Sequence, residues 1–381
     1  MNTGYTVDSM DGLVSLVPES DGAIVVVKGY YGKNDGGGGV FWYERESDDT
    51  PDGGTVVAGA APGRFIRSCE PNRLNVRWFG AMGDGEHDDT AAIQSAINAL
   101  PPAGGVLNFP GGVYCVTKTI EVGDGDAGEK ISSRQGIKLV GDGGGFAFSV
   151  KASTTIRAAA GIGPVIRLNG RISDCEIAGI HVDCAQRAAV GIYLHSFTGC
   201  WFHNVMVHGF TDTGIVVLAG VAPTGNYNIY NRFESVGVFA SLDETTCISF
   251  DGTYNVFNDT WLTVVTDCRF DTAKTKRSVA AHFKFVDSIS FYRCHFNTYD
   301  DSSTGAVFDA LNNHDFPCGM AFYDCSMVSH KVFEDEKHKI RKQYFYGFGT
   351  YDNEQLPSHE KLIGMTDTGE FFNIDPPGIK K

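Results

Sequence analysis

The chain has 381 residues, with 31 Lys and Arg against 46 Asp and Glu, and a formal net charge of −15. This acidic balance argues against a protein that wraps nucleic acid or covers an anionic membrane, because both partners require clustered basic side chains. Hydrophobic residues make up 42% of the chain, which excludes a wholly disordered protein, and no apolar run approaches the roughly 20 residues that span a bilayer.

The N-terminal sequence MNTGYTVDSMDGLVSL has no basic residue before an apolar stretch, so we predict no secretory signal peptide. The ten cysteines include no CxxC pair, which leaves a zinc ribbon or a redox motif unsupported. Because several of them recur at equivalent places in a repeat, we interpret them as small buried hydrophobic side chains. Synthesis in a reducing cytoplasm follows from this interpretation, and no metal or cofactor is predicted.

An amphipathic helix is predicted for DDTAAIQSAINAL at residues 88–100. Asp88 or Asp89 is suited to the N-cap, and a proline pair ends the helix. Its apolar stripe consists of Ile93, Ile97 and Leu100. A single helix ahead of stacked β-strands is typical of a cap over the first coil. Asp84, Asp88 and Asp89 are therefore assigned to a turn and to the helix cap rather than to catalysis.

A short pattern returns six times from residue 175 onward. It consists of an apolar residue, two spacers, an apolar or Cys residue, one spacer and another apolar residue. The copies lie 25 to 32 residues apart and begin at residues 177, 202, 233, 265, 291 and 322. Apolar residues two apart lie on one face of a strand, whereas a spacing of three reverses the alternation. Each copy is therefore predicted to be two strands joined by a tight bend.

Most residues at the predicted bends are suited to a left-handed conformation, since four of the six are Gly, Asn or Asp. In chain order they are Gly179, Asn204, Ser235, Asp267, Arg293 and Asp324. A further apolar strand is predicted earlier in the intervals, at residues 191–196, 214–220, 247–252 and 281–288. Three short strands per repeat describe a coil of a parallel β-helix, in which coils stack about 4.8 Å apart.

Residues 75–120 resemble the entrance motif of the pectate-lyase-like β-helix proteins. The elements that carry the resemblance are WFGAMGDG (78–85), DDTAAIQSAI (88–97), GGVLNFPGGVY (104–114) and IKLVGDG (137–143). The preceding stretch, residues 25–57, is similar to the segment found before that motif in many bacteriophage tailspikes and capsule depolymerases. The resemblance implies a homotrimer that binds and cleaves a bacterial surface polysaccharide.

We therefore predict an all-β chain: a single-stranded, right-handed parallel β-helix (solenoid) with an N-terminal capping helix. Residues 1–73 are predicted to form a neck or head-proximal segment, residues 74–345 the β-helix, and residues 346–381 a C-terminal cap or trimer-contact tail. The resemblance implies a virion protein that joins the phage tail, its baseplate or another tailspike through the N-terminal segment. Neither nucleic acid nor a membrane is expected as a partner.

The predicted register places a column of polar side chains on the outward face after the bends. The column consists of His181, Asp183, His208, Arg269, Asp271 and His295. Because adjacent coils are about 5 Å apart, His208 is expected within reach of His181 or Asp183. We favour this face as the substrate groove, the alternative being an ordinary solvated face.

Two further surfaces are candidates. Trp201 and Glu234 are predicted to project outward before the bend. Trp201 and Tyr193 are suited to stacking on sugar rings, and the alternative is packing against a neighbouring loop or subunit. Asp251, on the first strand of its coil, is a third candidate, with a plain surface carboxylate as the alternative.

Hydrolysis of a glycosidic bond needs two carboxyl groups that flank the bond. We favour this reaction, with Asp183 and either Asp271 or Glu234 as the acids. β-Elimination from a uronic acid unit instead needs a base and a cation beside the sugar carboxylate. The candidates for that reaction are His181, His208 and Arg269. A third alternative is a tail fibre or adhesin that binds glycan without cutting it.

Overall fold

The computed structural model describes most of the chain up to residue 328 and shorter pieces beyond it. The described ranges are 4–123, 134–145, 152–170, 172–219, 228–252, 260–284, 286, 289–309, 320–328, 331–335, 344–346, 349–351, 362–365 and 371–374. Much of the predicted C-terminal tail, 346–381, lies outside them.

A small β-sheet with its own core forms the N-terminal part. A short helix, Met10–Val14, packs on this sheet. The strands, in spatial order, are Gly4–Val7, Ile24–Val27, Gly39–Glu44, Arg64–Arg67 and Val56–Val57. Buried side chains that include Leu13, Val25, Phe41 and Phe65 form its core cluster, which is separate from the larger cluster of the remaining chain.

The predicted helix is present as Thr90–Ala99, shorter at its start than expected. Residues Asp84–Asp88 instead form a strand that pairs with Gly112–Val116. Asp88 accepts a hydrogen bond from the Thr90 backbone N–H at 3.1 Å, whereas Asp89 stands at the N-cap and makes no side-chain cap hydrogen bond. The helix buries its predicted stripe against the first coil, with Ile93, Ile97 and Leu100 at most 2% exposed.

Beyond the helix the chain winds into a parallel β-helix, which confirms the predicted fold class. One sheet, called here the first sheet, contains eight parallel strands. They are Ile120–Val122, Ile162–Leu168, Ala188–His195, Thr213–Leu218, Thr246–Asp251, Val279–Lys284, Thr304–Asp309 and Lys331–Asp335. The predicted apolar strands at residues 191–196, 214–220, 247–252 and 281–288 each overlap a strand of this sheet, and residues 220, 285, 287 and 288 lie outside the described residues.

A second, larger sheet bends at each coil into a middle arm before the bend and a third arm after it. Its entrance strands are Arg73–Asn75, Asp84–Asp88, Gly105–Phe109 and Gly112–Val116, and a 3-10 helix, Val76–Phe79, lies among them. The middle arm consists of Ile137–Gly141, Glu176–Ala178, Thr263–Thr266, Ile289–Tyr292, Ala321–Tyr323 and Tyr344–Tyr346. The third arm consists of Thr154–Ala158, His181–Asp183, Arg269–Asp271, His295–Asn297, Ser326–Val328 and Gly349–Tyr351. Trp201–His208 and Arg232–Phe239 run through the bend and belong to both arms.

Two smaller elements complete the strands. One is a four-stranded sheet, which was not predicted from the sequence. Each of its strands comes after a first-sheet strand and before a middle-arm strand in the chain. It consists of Ile172–Ser173, Phe197–Thr198, Asn228–Ile229 and Thr260–Trp261. Near the C-terminus, Leu362–Met365 and Phe371–Ile374 pair in antiparallel fashion.

The bends have the predicted left-handed backbone. The bend residues from Asn204 to Asp324 have φ between 50° and 53°, and Gly179 has φ 63°. This conformation reverses the inward–outward alternation, so apolar residues on both sides of the bend point into one core. The core contains aromatic stacks along the axis, such as Phe202 with Phe233 and Phe291 with Phe322, each with ring centroids 4.9 Å apart.

The described cysteines are free thiols, and all of them are buried except the half-buried Cys69. Cys318 lies outside the described residues. At two bends a thiol accepts a backbone hydrogen bond from the coil before it, from Val236 N–H to Cys268 Sγ and from Cys294 N–H to Cys325 Sγ, both at 3.4 Å. The prediction of buried, unpaired cysteines is confirmed for the described residues.

Candidate functional site

The third arm has the predicted register but is not the open groove that we expected. His181 lies beside Met206 and Asp183 beside His208 on adjacent coils. Several outward positions are nevertheless covered, with Met206 5%, Phe239 1% and Asp183 9% exposed. His208 and Arg269 are more accessible, with side chains 30% and 38% exposed, so the face is covered in parts and reached by solvent in others.

Asp183 and Asp271 close tight turns at the ends of third-arm strands. The Asp183 carboxylate accepts the Ala185 backbone N–H at 2.9 Å, and that of Asp271 accepts the Ala273 N–H at 2.7 Å. Both alanines have positive φ, 51° and 50°. A carboxylate that accepts a hydrogen bond from the backbone N–H two residues later stabilises such a turn. Both aspartates therefore stabilise the local fold.

The two aspartates are also ion-paired and far apart. Asp183 Oδ2 lies 2.8 Å from Arg157 Nε, and Asp271 Oδ2 lies 2.6 Å from Arg269 Nη2. The register runs from Asp183 through two intervening coils to Asp271, and three steps of about 4.8 Å give about 14 Å. The carboxyl groups of inverting glycosidases are at most about 9.5 Å apart, so these two do not form such a pair within one subunit.

His181 and His208 form the closest imidazole contact of the third arm. His181 Nε2 lies 2.8 Å from His208 Nδ1, and the rings are tilted by 32°. On the other side, Thr155 Oγ1 lies 3.3 Å from His181 Nδ1. Burial, followed by the charge of His208, lowers the pKa of His181 to about 4. Burial and Arg269 likewise lower the pKa of His295. His181 is therefore neutral at pH 7 with both ring nitrogens engaged.

The middle arm presents Trp201 beside a histidine that the sequence analysis missed. Trp201 is 37% exposed, and its ring stacks on that of His203 with centroids 3.9 Å apart. His203 Nε2 lies 2.8 Å from Glu176 Oε1. Glu234 occupies the position beside His203 on the next coil. His203 could have been predicted to point outward, because it occupies the same position before its bend as Glu234 does one coil later.

Tyr193 lies on the first sheet, so it does not share a face with Trp201. Arg167 is its neighbour on the preceding coil, with the guanidinium carbon 5.8 Å from the Tyr193 ring centroid. Arg167 Nη1 also contacts Glu121 Oε1 at 2.8 Å, while Glu121 Oε2 is buried without a hydrogen-bond partner. Burial raises the pKa of Tyr193, and the charge of Asp251 acts in the same direction. The phenol therefore stays protonated.

Asp251, the third candidate of the sequence analysis, approaches His282 on the same face. His282 Nδ1 lies 3.5 Å from Asp251 Oδ1, and the side chains are 27% and 30% exposed. Asp251 Oδ1 itself is buried without a hydrogen bond. Lys284 lies directly beside Asp251 on the next coil. A carboxylate and an imidazole thus lie 3.5 Å apart on a surface that solvent reaches, with a lysine at the neighbouring register position.

The acids near the capping helix bind backbone N–H groups, although Asp89 does so away from the helix that it was predicted to cap. Asp84 accepts the backbone N–H groups of Glu86 and His87 at 2.9 and 2.8 Å. Asp89 is fully buried and accepts the Met82 and Gly83 N–H groups. Their carboxylate oxygens therefore bind backbone rather than face a substrate.

Within the described residues, no group of three or more His, Cys, Asp or Glu side chains is arranged to hold a metal ion. In the same part of the chain no helix is long and apolar enough to cross a membrane.

Two stretches match known protein families. Residues 73–164 match the family described as rhamnogalacturonase A/epimerase, pectate lyase-like. Residues 6–70 match the phage tail protein small four-stranded beta-sheet domain. The first stretch contains the entrance motif and the capping helix, and the second coincides with the N-terminal sheet. The resemblance of this sequence to pectate-lyase-like β-helix proteins is thereby confirmed.

Curated relatives match short segments only. The mannuronan C5-epimerase AlgE1 of Azotobacter vinelandii is 46% identical over 134 residues, which are 35% of this chain and 8% of the relative. Alginate lyase 7 of the same organism is 52% identical over 52 residues, or 13% of this chain and 6% of the relative. The chain thus spans less than a tenth of the length of these relatives.

Two solved structures with the same fold are phage tailspikes. The tailspike gp49 of Acinetobacter baumannii bacteriophage Fri1, titled a capsular polysaccharide depolymerase, superposes with a TM-score of 0.65 at 15% identity, covering 92% of this chain and 64% of that one. The Acinetobacter phage vB_ApiP_P1 tailspike gives 0.58 at 19% identity, with 92% and 65% covered. The molecule is a parallel β-helix whose entrance matches the pectate-lyase-like family model, and it is preceded by a sheet that matches the phage-tail β-sheet model. Its fold is that of a bacteriophage tailspike.

Proposed function

We propose that this chain is a bacteriophage tail protein that binds and cleaves an acidic bacterial surface polysaccharide on the outward face of its first sheet. The observation that carries the proposal is the 3.5 Å approach of His282 Nδ1 to Asp251 Oδ1 on that accessible face, with Lys284 beside Asp251 in the register. Arg167 and Tyr193 continue the face toward the N-terminal coils. The relatives support an acidic glycan, since their names refer to mannuronan and alginate.

The three residues supply what β-elimination from a uronic acid unit requires. The His282 imidazole takes the proton from C5 of the sugar through Nε2, and the Asp251 carboxylate, 3.5 Å from Nδ1, stabilises the positive charge that the ring gains. The Lys284 ammonium neutralises the sugar carboxylate, which makes that proton more acidic. The electron pair forms the C4–C5 double bond, and the glycosidic oxygen leaves C4 and takes a proton from water. Arg167 and Tyr193 bind a neighbouring sugar unit by ion pairing and ring contact.

This proposal replaces hydrolysis by elimination as the favoured reaction. Hydrolysis through Asp183 and Asp271 depends on two carboxyl groups close enough to flank one bond, whereas their register separates them by about 14 Å. Both are also occupied by turn N–H groups and arginines. Glu234 lies on the middle arm, away from the third-arm aspartates in the predicted pair.

The first experiment incubates the purified protein with a panel of bacterial capsular polysaccharides and mannuronan. Reducing ends and the ultraviolet absorbance of the C4–C5 double bond are followed together. Both signals are expected to rise in step on a uronic acid polymer. Reducing ends without absorbance contradict elimination in favour of hydrolysis, and binding without any product contradicts catalysis.

Matched histidine variants test where the reaction occurs. His282→Ala is expected to lower the rate on the cleaved polysaccharide about 10²- to 10⁴-fold, the usual contribution of a general base. His181→Ala and His208→Ala are expected to stay within a few-fold of the intact protein. The opposite result would return the active site to the third arm with His181, His208 and Arg269.

Trimer assembly and tail attachment are part of the same proposal. The N-terminal sheet, matched to a phage tail domain, is the proposed attachment segment. Sedimentation of the full chain is expected to give a trimer mass. A protein that sediments as a monomer and still cleaves the polysaccharide would contradict the idea that activity requires the trimer.

A further inference from the structure

The middle arm carries aromatic side chains at both ends of one outward face, an exposed Trp201 at one end and the half-buried Tyr292 and Tyr323 at the other. At the N-terminal end, Trp201 is 37% exposed and stacks on His203. At the other end, the rings of Tyr292 and Tyr323 stack with centroids 4.7 Å apart and planes 7° apart. His203, Glu234, Thr266, Tyr292 and Tyr323 are successive neighbours in the register. The two aromatic pairs therefore lie on one line along the helix axis.

Polar and charged groups lie beside the aromatic rings. Arg232 is next to Trp201 on the following coil, with its guanidinium carbon 5.9 Å from the indole centroid. Glu176 contacts both His203, at 2.8 Å, and Lys138, at 3.3 Å. Aromatic rings flanked by hydrogen-bonding side chains match a sugar, which has apolar C–H faces and a rim of hydroxyl groups.

The same composition argues against a protein partner on this face. The centres of protein–protein interfaces are depleted of charged residues. Here Glu176, Arg232 and Glu234 stand on or beside the line that joins the two aromatic pairs. Bringing such charges into a dry interface is costly, whereas a hydrated glycan leaves them in contact with water.

We propose that this face of the middle arm, defined by Trp201, His203, Arg232, Glu234, Tyr292 and Tyr323 and called the aromatic track, is a second, non-catalytic binding site for the acidic polysaccharide. It lies on a different sheet from Asp251 and His282. Arg232 binds sugar carboxylates while the aromatic rings contact sugar faces. The inference rests on the proposed polysaccharide substrate and adds a site that holds the polymer away from the reacting bond.

The test measures binding in a background that does not cleave. The His282→Ala variant is titrated with the panel polysaccharide that the intact protein degrades, or with mannuronan if none is degraded. Trp201→Ala and Tyr292→Ala, each added to that background, are expected to weaken the affinity about three- to tenfold, in line with aromatic contact energies. Trp201→Phe is expected to recover most of the loss, which a purely structural defect would not predict.

Tyr31→Ala is the matched control, because Tyr31 is 50% exposed on the N-terminal part, away from the track. Its affinity is expected to equal that of the background. If the Trp201→Ala and Tyr292→Ala variants bind the polysaccharide as tightly as the His282→Ala background does, the aromatic track is overturned. Absence of binding by that background would overturn it too. A loss of trimer mass in Trp201→Ala would overturn it in favour of a subunit contact. Failure of the proposed reaction appears separately, as absent cleavage by the intact protein.

Discussion

At the scale of single residues, Arg67 connects the N-terminal sheet to the entrance of the β-helix. It is 3% exposed and donates hydrogen bonds to the backbone oxygens of Gly37, Gly38 and Gly54. Its guanidinium carbon also lies 4.9 Å from the ring centroid of Trp78. Burial lowers the pKa of Arg67 to about 10, so the side chain remains charged at neutral pH and depends on these partners.

Replacing Arg67 by Met is expected to lower the free energy of unfolding by about 2–4 kcal/mol, because carbonyl oxygens near the junction lose their donors. Arg73→Met is the control, since Arg73 is exposed and pairs only loosely with Glu70 at 3.8 Å; its effect should stay within about 0.5 kcal/mol. Chemical denaturation of both variants measures the difference. Equal stability of the two variants would show that the junction does not need the guanidinium.

The His181 imidazole gives a pH dependence with a defined sign. Its folded pKa of about 4 lies below the unfolded value of about 6.5. Between these values the unfolded chain binds more protons, so this residue's contribution to stability is complete above pH 6.5 and is lost as the pH falls toward 4. NMR titration of the intact protein should place the His181 midpoint near 4. His208→Ala should raise it, and an unchanged midpoint would count against coupling of the two rings.

At the scale of elements, the bend fixes how each coil turns. Ser235 has φ 53° without being Gly, Asn or Asp, and a side chain in this region costs about 1–2 kcal/mol. We expect Ser235→Gly to be close to neutral and Ser235→Val to lose about 1–2 kcal/mol of unfolding free energy, because a β-branched side chain fits this conformation poorly. Thermal unfolding compares the two variants. A valine variant as stable as the glycine variant would contradict the strain argument.

The bends and sheets were predictable from sequence because their signal is local. A spacing of three between apolar residues marks each bend, and the structure places Arg293 and Ser235 there as readily as Asn204. The start of the capping helix was less predictable, since Asp84–Asp88 satisfies its backbone by pairing with a strand some 25 residues later.

The candidate site was harder to predict than the fold, since outward orientation does not establish exposure. Met206 and Phe239 stand at outward positions of the third arm, and their apolar character already indicated a covered face. Asp251 and His282 meet only through the register of the first sheet, which aligns Phe250 with Phe283. Long intervals of variable length separate these strands in sequence, so their contact has no local pattern.

At the scale of the whole molecule, the net charge of −15 opposes an acidic substrate. Long-range repulsion is screened as the Debye length shortens from about 30 Å at 0.01 M salt to about 8 Å at 0.15 M. The association rate of the proposed acidic polysaccharide should therefore rise over this range. Stopped-flow binding to the His282→Ala variant measures it. An association rate that falls as the salt concentration rises would mean that basic side chains at the binding surface outweigh the net charge of the protein.

The column of bends from Gly179 to Asp324 has a consequence for how this chain tolerates insertions. One residue added between Asn204 and Val207 would turn Val207 from the core to the surface, whereas residues added in the intervals between coils leave every bend in place. The six copies already accommodate intervals of 25 to 32 residues around the same core. If the proposed function holds, loops that shape a glycan-recognising surface are therefore free to lengthen or be exchanged, and a change of bacterial host leaves the scaffold intact.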